Sequence, residues 1–190
     1  MSKIKKVCID PGHGFANLRP GVYDPGAVSG TYNEADIVLQ WALTLKWTMN
    51  KKGIAVFMTR DDDSDSAPVS TRDDRAELNG CSHFVSLHCN QADSKVFGQE
   101  TFYRDANDMK LAKIAQKAIL ETMKGNDRGV KSEKDSQHKR LAIFDFDGPA
   151  CLVELEFIGG PHKMLLRSRD HRIEFAERLS DAMIEIYGGE

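Results

Sequence analysis

"VCIDPGHG", from Val7 to Gly14, is the stretch on which the fold turns. A short apolar run ends in an acid, and a Pro-Gly-His-Gly turn follows at once. An apolar run bounded by a turn reads as a buried strand, and "KKVCI" (Lys5–Ile9) is predicted as the first one. His13 lies between two glycines just past that strand, with no partner nearby in sequence. It is either a turn residue of no consequence, or its partners come from elsewhere in the chain.

Outward from this strand, helices and strands alternate. Ile37, Trp41, Leu45 and Met49 recur on one face of a helix predicted from Asn33 to about Asn50, with Asn33 as N-cap and Gly53 as its stop. "IAVFM" (Ile54–Met58) is the second strand, and "TRDDDSDSAPVS" is a polar loop. A short helix covers Thr71–Leu78. Further strands are read at "HFVSLH" (His83–His88), "GQETFYR" (Gly98–Arg104), "RLAIF" (Arg140–Phe144) and "CLVELEF" (Cys151–Phe157). Helices are read at Asp108–Met123 and Asp170–Tyr187. The alternation predicts an α/β fold: one domain over residues 1–190, with a mainly parallel, mixed central sheet covered by helices on both faces.

Composition narrows the function. The chain has 190 residues, 29% charged, with net charge -3, which argues against disorder and against a nucleic-acid surface. No window approaches the run of about 18 apolar residues that a membrane span needs. "MSKIKK" is followed by too short an apolar stretch for an export signal. The expectation is therefore synthesis in the cytoplasm and release through a holin-type pore, or a leader since removed. Cys8, Cys81, Cys89 and Cys151 read as buried thiols rather than a disulfide framework.

In open α/β sheets, ligands bind beyond the carboxyl ends of the strands. Parallel pairing would bring His13, Arg60 and His88 to one edge, since each follows or ends a strand. Two histidines there could hold a divalent metal, and catalytic zinc takes three protein ligands. Glu34, at the mouth of the first helix, is the natural third, although an acid in a first turn also complements the helix dipole. Glu154 interrupts an otherwise apolar strand and shares a face with Glu156. Either this strand has a solvated side, or Glu154 is a general base beside a metal. A Cys/His structural zinc site in "CSHFVSLHC" lacks the required pairing. His83, His138, His162 and His171 read as ordinary histidines. No phosphate-loop or serine-elbow pattern is present.

These features fall in the order of a known family. "IDPGHG" (Ile9–Gly14), "DPGA" (Asp24–Ala27), "NEAD" (Asn33–Asp36), "GIAVFMTRDDD" (Gly53–Asp63), Arg72, "FVSLHCN" (Phe84–Asn90), "DRGVK" (Asp127–Lys131) and "PACLVELEFI" (Pro149–Ile158) run nearly end to end. Together they resemble the zinc-dependent N-acetylmuramoyl-L-alanine amidases of the type-3 class, which are cell-wall hydrolases. The resemblance implies one zinc ion held by His13, Glu34 and His88, Glu154 as the catalytic glutamate, and Arg72 and Asn90 as substrate contacts. It implies a monomer acting on peptidoglycan, as an endolysin or an autolysin, at the bond between N-acetylmuramic acid and L-alanine. A zinc peptidase is the alternative. Two departures stand out: Glu156 replaces a residue that is commonly Gly, and "FANLRPGVY" (Phe15–Tyr23) lengthens the segment between the Gly-rich motifs.

Overall fold

The computed structural model describes residues 3–188. Six strands form its central sheet: β1 (Val7–Pro11), β2 (Val56–Met58), β3 (His83–Asn90), β4 (Gln99–Tyr103), β5 (Asp127–Ser132) and β6 (Ala150–Phe157). Their spatial order is β2-β1-β3-β6-β4-β5. β2, β1, β3 and β6 are mutually parallel, β4 runs antiparallel to β6, and β5 is parallel to β4. The sheet is the mixed, mainly parallel one expected.

Side chains alternate across β1. Val7 and Ile9 enter the larger core with α1 (Glu34–Lys51), α3 (Ala106–Met123) and α4 (Arg169–Tyr187), which pack on one face. Cys8 points the other way, into a smaller cluster with Phe84, Phe102, Phe146 and Leu152, covered by α2 (Arg72–Leu78) and a 3-10 turn at Ala142–Asp145. Both faces carry helix, but the long helices share one. The periodicity of α1 is sound: Trp41, Leu45 and Met49 are fully buried. Asn33 caps it by accepting the Asp36 N–H at 2.9 Å. All four cysteines are free thiols. Among the described residues, no helix is long and apolar enough to cross a membrane.

One strand assignment is corrected, and one strand is added. "RLAIF" is not a strand: Ala142–Asp145 forms the 3-10 turn, with Ile143 and Phe144 plugging the smaller core. Arg104 holds its backbone there, donating to the carbonyls of Leu141 at 3.1 Å and Phe144 at 2.5 Å. The sixth strand is instead "DRGVKS", whose charges suit an edge strand and mask it in sequence.

The ends of three strands are tied by one buried acid. Asp10 is 1% exposed. It accepts from Thr59 Oγ1 after β2, Ser86 Oγ on β3 and Arg72 Nη1 on α2, each at 2.6 Å. Burial alone would raise its carboxyl, but Arg72 and the two hydroxyls outweigh that and hold it below the usual range. The Arg72 guanidinium also donates to the carbonyls of Pro11 at 3.1 Å and His13 at 2.7 Å, and to Asn17 Oδ1 at 3.0 Å. Arg72 is 2% exposed and lies beneath the turn, so the substrate contact implied for it gives way to support of the His13 loop. Arg60, 1% exposed, serves likewise, donating to the carbonyls of Pro11, Gly12 and Ala35.

Replacing Arg72 by Ala leaves Asp10 buried without its cation. Urea unfolding at neutral pH should show a loss of about 3–5 kcal/mol. Because the Asp10 pKa is depressed in the folded state, its contribution is present above the unfolded pKa of about 4 and lost as pH falls through the folded value. The variant's stability should therefore depend less on pH in that acid range; an undiminished slope would rule out this pair as its source.

Candidate active site

The segment between β1 and α1 folds back over the sheet edge as two short antiparallel hairpins, Gly14–Phe15 with Tyr23–Asp24 and Val28–Ser29 with Tyr32–Asn33. This fold brings His13, Glu34 and His88 together: one ligand atom from each, all within 4.8 Å of one another. His13 Nε2 lies 3.1 Å and His88 Nδ1 2.9 Å from the same oxygen, Glu34 Oε1. The two rings meet edge-on, with centroids 5.0 Å apart.

The backbone around them is shaped for this approach. His13 itself takes the left-handed conformation, φ 61°, which is uncommon for a residue with a side chain and is a form of strain found at functional sites. A Cβ at Gly12 would overlap the His88 ring. One at Gly26 would lie 2.6 Å from His13 Cδ2 and 2.7 Å from Glu34 Oε2, so only glycine fits at either position.

Each site group is oriented from behind. Asp24 Oδ2 lies 2.9 Å from His13 Nδ1, and Asp24 is itself held by Asn17 Nδ2 at 2.6 Å and the Gly26 N–H at 3.0 Å. With Nδ1 directed to a carboxylate, Nε2 is turned toward the cluster, the usual arrangement for a metal-binding imidazole. Glu34, 3% exposed, accepts the Ala27 N–H at 2.9 Å and the Cys89 N–H at 2.8 Å. Burial raises the Glu34 carboxyl, but His13 and His88 outweigh it and keep it well below the usual range. Burial also disfavours charge on His13, yet Glu34 and Asp24 raise its proton affinity overall. Two nitrogens and a carboxylate gathered around one point in a shielded site form a donor set that fits a divalent cation such as zinc.

Glu154 stands beside this cluster, in register with His88 on β3 and Glu100 on β4. Its Oε2 is buried and has no hydrogen-bond partner. Burial, then the charges of Glu34 and Glu100, push its carboxyl well above the ordinary range. Glu100 differs: burial is outweighed by Lys131 Nζ at 2.6 Å and Arg128 Nε at 2.8 Å, so it stays ionised. Neighbouring carboxyls driven in opposite directions mark an acid–base site. They face an open cleft of about 320 Å³ whose far wall includes Ser136, Gln137 and His138. Asn90 also lines the cleft, its side chain donating to Glu100 Oε1 at 2.7 Å.

Glu156 has no place in this cleft; it is fully buried under the segment leading into β4. Asp24, Asp10 and Glu100 received no role from the sequence. Asp24 and Asp10 were in view within the Gly-Pro motifs. Glu100 was legible only as a charge inside the strand "GQETFYR".

Comparison with known proteins gives the family. The family profile described as N-acetylmuramoyl-L-alanine amidase matches residues 7–185. The germination-specific N-acetylmuramoyl-L-alanine amidase of Bacillus subtilis is 28% identical over 178 residues, 85% of this chain and 70% of that protein. The catalytic domain of CwlV, an amidase from Bacillus (Paenibacillus) polymyxa, superposes with a TM-score of 0.84 at 26% identity, over 98% of this chain and 100% of that one. An amidase from Clostridium difficile 630 gives 0.83 at 27% identity, covering both chains completely. With the profile spanning nearly the whole chain, the protein is a hydrolase belonging to the N-acetylmuramoyl-L-alanine amidase family.

Proposed function

We propose that this enzyme hydrolyses the amide bond between the lactyl group of N-acetylmuramic acid and the L-alanine of the stem peptide, with zinc held by His13, Glu34 and His88. The observation that carries the reading is the convergence of His13, His88 and Glu34 beside the orphaned Oε2 of Glu154. Whether the producing cell or a phage delivers the enzyme, the bond attacked is the same.

An amide is a poor electrophile with a poor leaving group. Zinc, when bound, supplies polarisation of the scissile carbonyl and acidification of water. The chain's own residues supply the proton traffic. Glu154, with a free oxygen and raised proton affinity, takes the attacking water's proton and delivers it to the departing amine. Asp24 fixes the His13 ring through Nδ1. Glu100, kept ionised by Arg128 and Lys131, adds negative potential next to Glu154. Asn90, at the cleft wall, is assigned a substrate contact.

Mass spectrometry of products from intact muropeptide and from free stem peptide tests the reaction. Cleavage confined to the muropeptide, at the lactyl amide, supports it; cleavage within the free peptide makes the chain a peptidase. Glu154→Ala should lower turnover by about 10²–10⁴-fold, the usual worth of a general acid–base, while keeping stoichiometric zinc. Near-normal turnover would remove Glu154 from the mechanism. His13→Ala should lose the metal by elemental analysis, and Asp24→Ala should weaken zinc affinity by about 10–100-fold. Zinc must displace the proton whose affinity for His13 is raised, so binding should weaken as pH falls, by up to about tenfold per unit below the histidine's pKa. Calorimetric titration across pH 5–8 checks this, and a flat profile would rule out histidine ligation altogether.

A further inference from the structure

Two residues past Glu154, β6 carries a second carboxylate that the mechanism does not use. Glu156 is fully buried, and a charge there is costly unless its oxygens are taken. Oε1 accepts the N–H groups of Gly98 at 2.8 Å and Phe157 at 2.7 Å, and Oε2 accepts Gln99 Nε2 at 2.7 Å. His162 Nδ1 lies 3.8 Å from Oε2. All three donors sit where β6 ends or β4 begins. The β6–β3 register shifts between Glu154 and Phe157, so Glu156 occupies an irregular stretch where a regular ladder cannot fix the chain. Gly98, at φ +116°, leads directly into Gln99 and Glu100, and Glu100 is the residue paired across the sheet with Glu154. An apolar side chain at 156 would leave the two backbone N–H groups and the Gln99 amide buried without acceptors.

We propose that Glu156 is a positioning residue for the active site: its carboxylate joins the end of β6 to the start of β4 and so keeps Glu100 and Glu154 opposite one another in the cleft wall. It acts through these neighbours and is not among the residues lining the cleft. The inference rests on the reading of Glu154 as the base. A glutamine can do the same task. Its carbonyl can accept from Gly98 and Phe157, while its amide can donate to Gln99 Oε1, which is buried and has no partner, once the Gln99 amide reorients.

The test compares the wild type with Glu156→Ala and Glu156→Gln by amide hydrogen exchange, zinc content and muropeptide kinetics. In Glu156→Ala, exchange at Gly98 and Phe157 should quicken by about tenfold or more, and kcat should fall by about tenfold with KM within about twofold, given the usual strength of hydrogen bonds to a charged acceptor. Zinc should stay stoichiometric. Glu156→Gln should restore both readouts to within about threefold of wild type. If Glu156→Ala does not fold, Gln99→Met removes one donor at similar volume and should quicken exchange at Gly98 with a smaller fall in kcat. Unchanged exchange overturns the proposal, as does faster exchange at unchanged kcat, or a glutamine variant as impaired as the alanine. A wild type that cuts no muropeptide would defeat the amidase reading alone. The exchange data, with the Glu100–Glu154 cross-strand contact measured by NMR, would still decide the role of Glu156.

Discussion

Everything at the active edge depends on the carboxylate of Asp10. It is buried at the end of the first strand, and its oxygens are shared among Thr59, Ser86 and Arg72. A charge so placed is tolerated only when each lone pair finds a donor, and these donors come from β3, from α2 and from the turn that follows β2. The cost of leaving any of them unpaired is what fixes the relative heights of the strand ends. His13 and His88 can then meet over Glu34 within hydrogen-bonding range. The site is thus preorganised from below, by a carboxylate and a guanidinium that are not among the residues lining the cleft.

The carboxylates above that network show how position sorts identical chemistry. Glu34 faces two imidazoles and stays ionised; Glu100 faces a lysine and an arginine and does the same. Glu154, between them, has no cation of its own, and burial with two neighbouring carboxylates raises its proton affinity. Glu156, two residues on, accepts from three amide donors and becomes a structural tie. Four acids of one residue type take different tasks because different neighbours lie within about 3 Å, not because the sequence around each is distinctive.

Much of this was legible in advance. The run before His13 and the four-residue recurrence of Ile37, Trp41, Leu45 and Met49 are local signals with one dominant physical reading, and Glu154 inside an apolar strand stands out with two. Parallel alternation then named the edge on which His13 and His88 meet. What escaped were features set by long-range partners. "RLAIF" has the composition of a strand, but Arg104 claims its carbonyls and β5 already fills the edge. The substrate contact implied for Arg72 gives way because its carboxylate partner, Asp10, lies 62 residues back and is buried with it. Asp24 differs from other turn acids only because a hairpin returns it to His13.

The Arg72 link also has a thermodynamic meaning. Arg72 opens α2, a helix of 7 residues that would be marginal alone and that covers the smaller of the two cores. The turn carrying His13 is therefore anchored to one of the less self-sufficient elements of the fold. Linkage makes such a connection work in both directions: a ligand that prefers the ordered turn stabilises whatever the turn is tied to. A ligand held at His13, Glu34 and His88 would then slow local opening of α2 on the opposite face of the sheet, and loosening of that helix would weaken the hold on it.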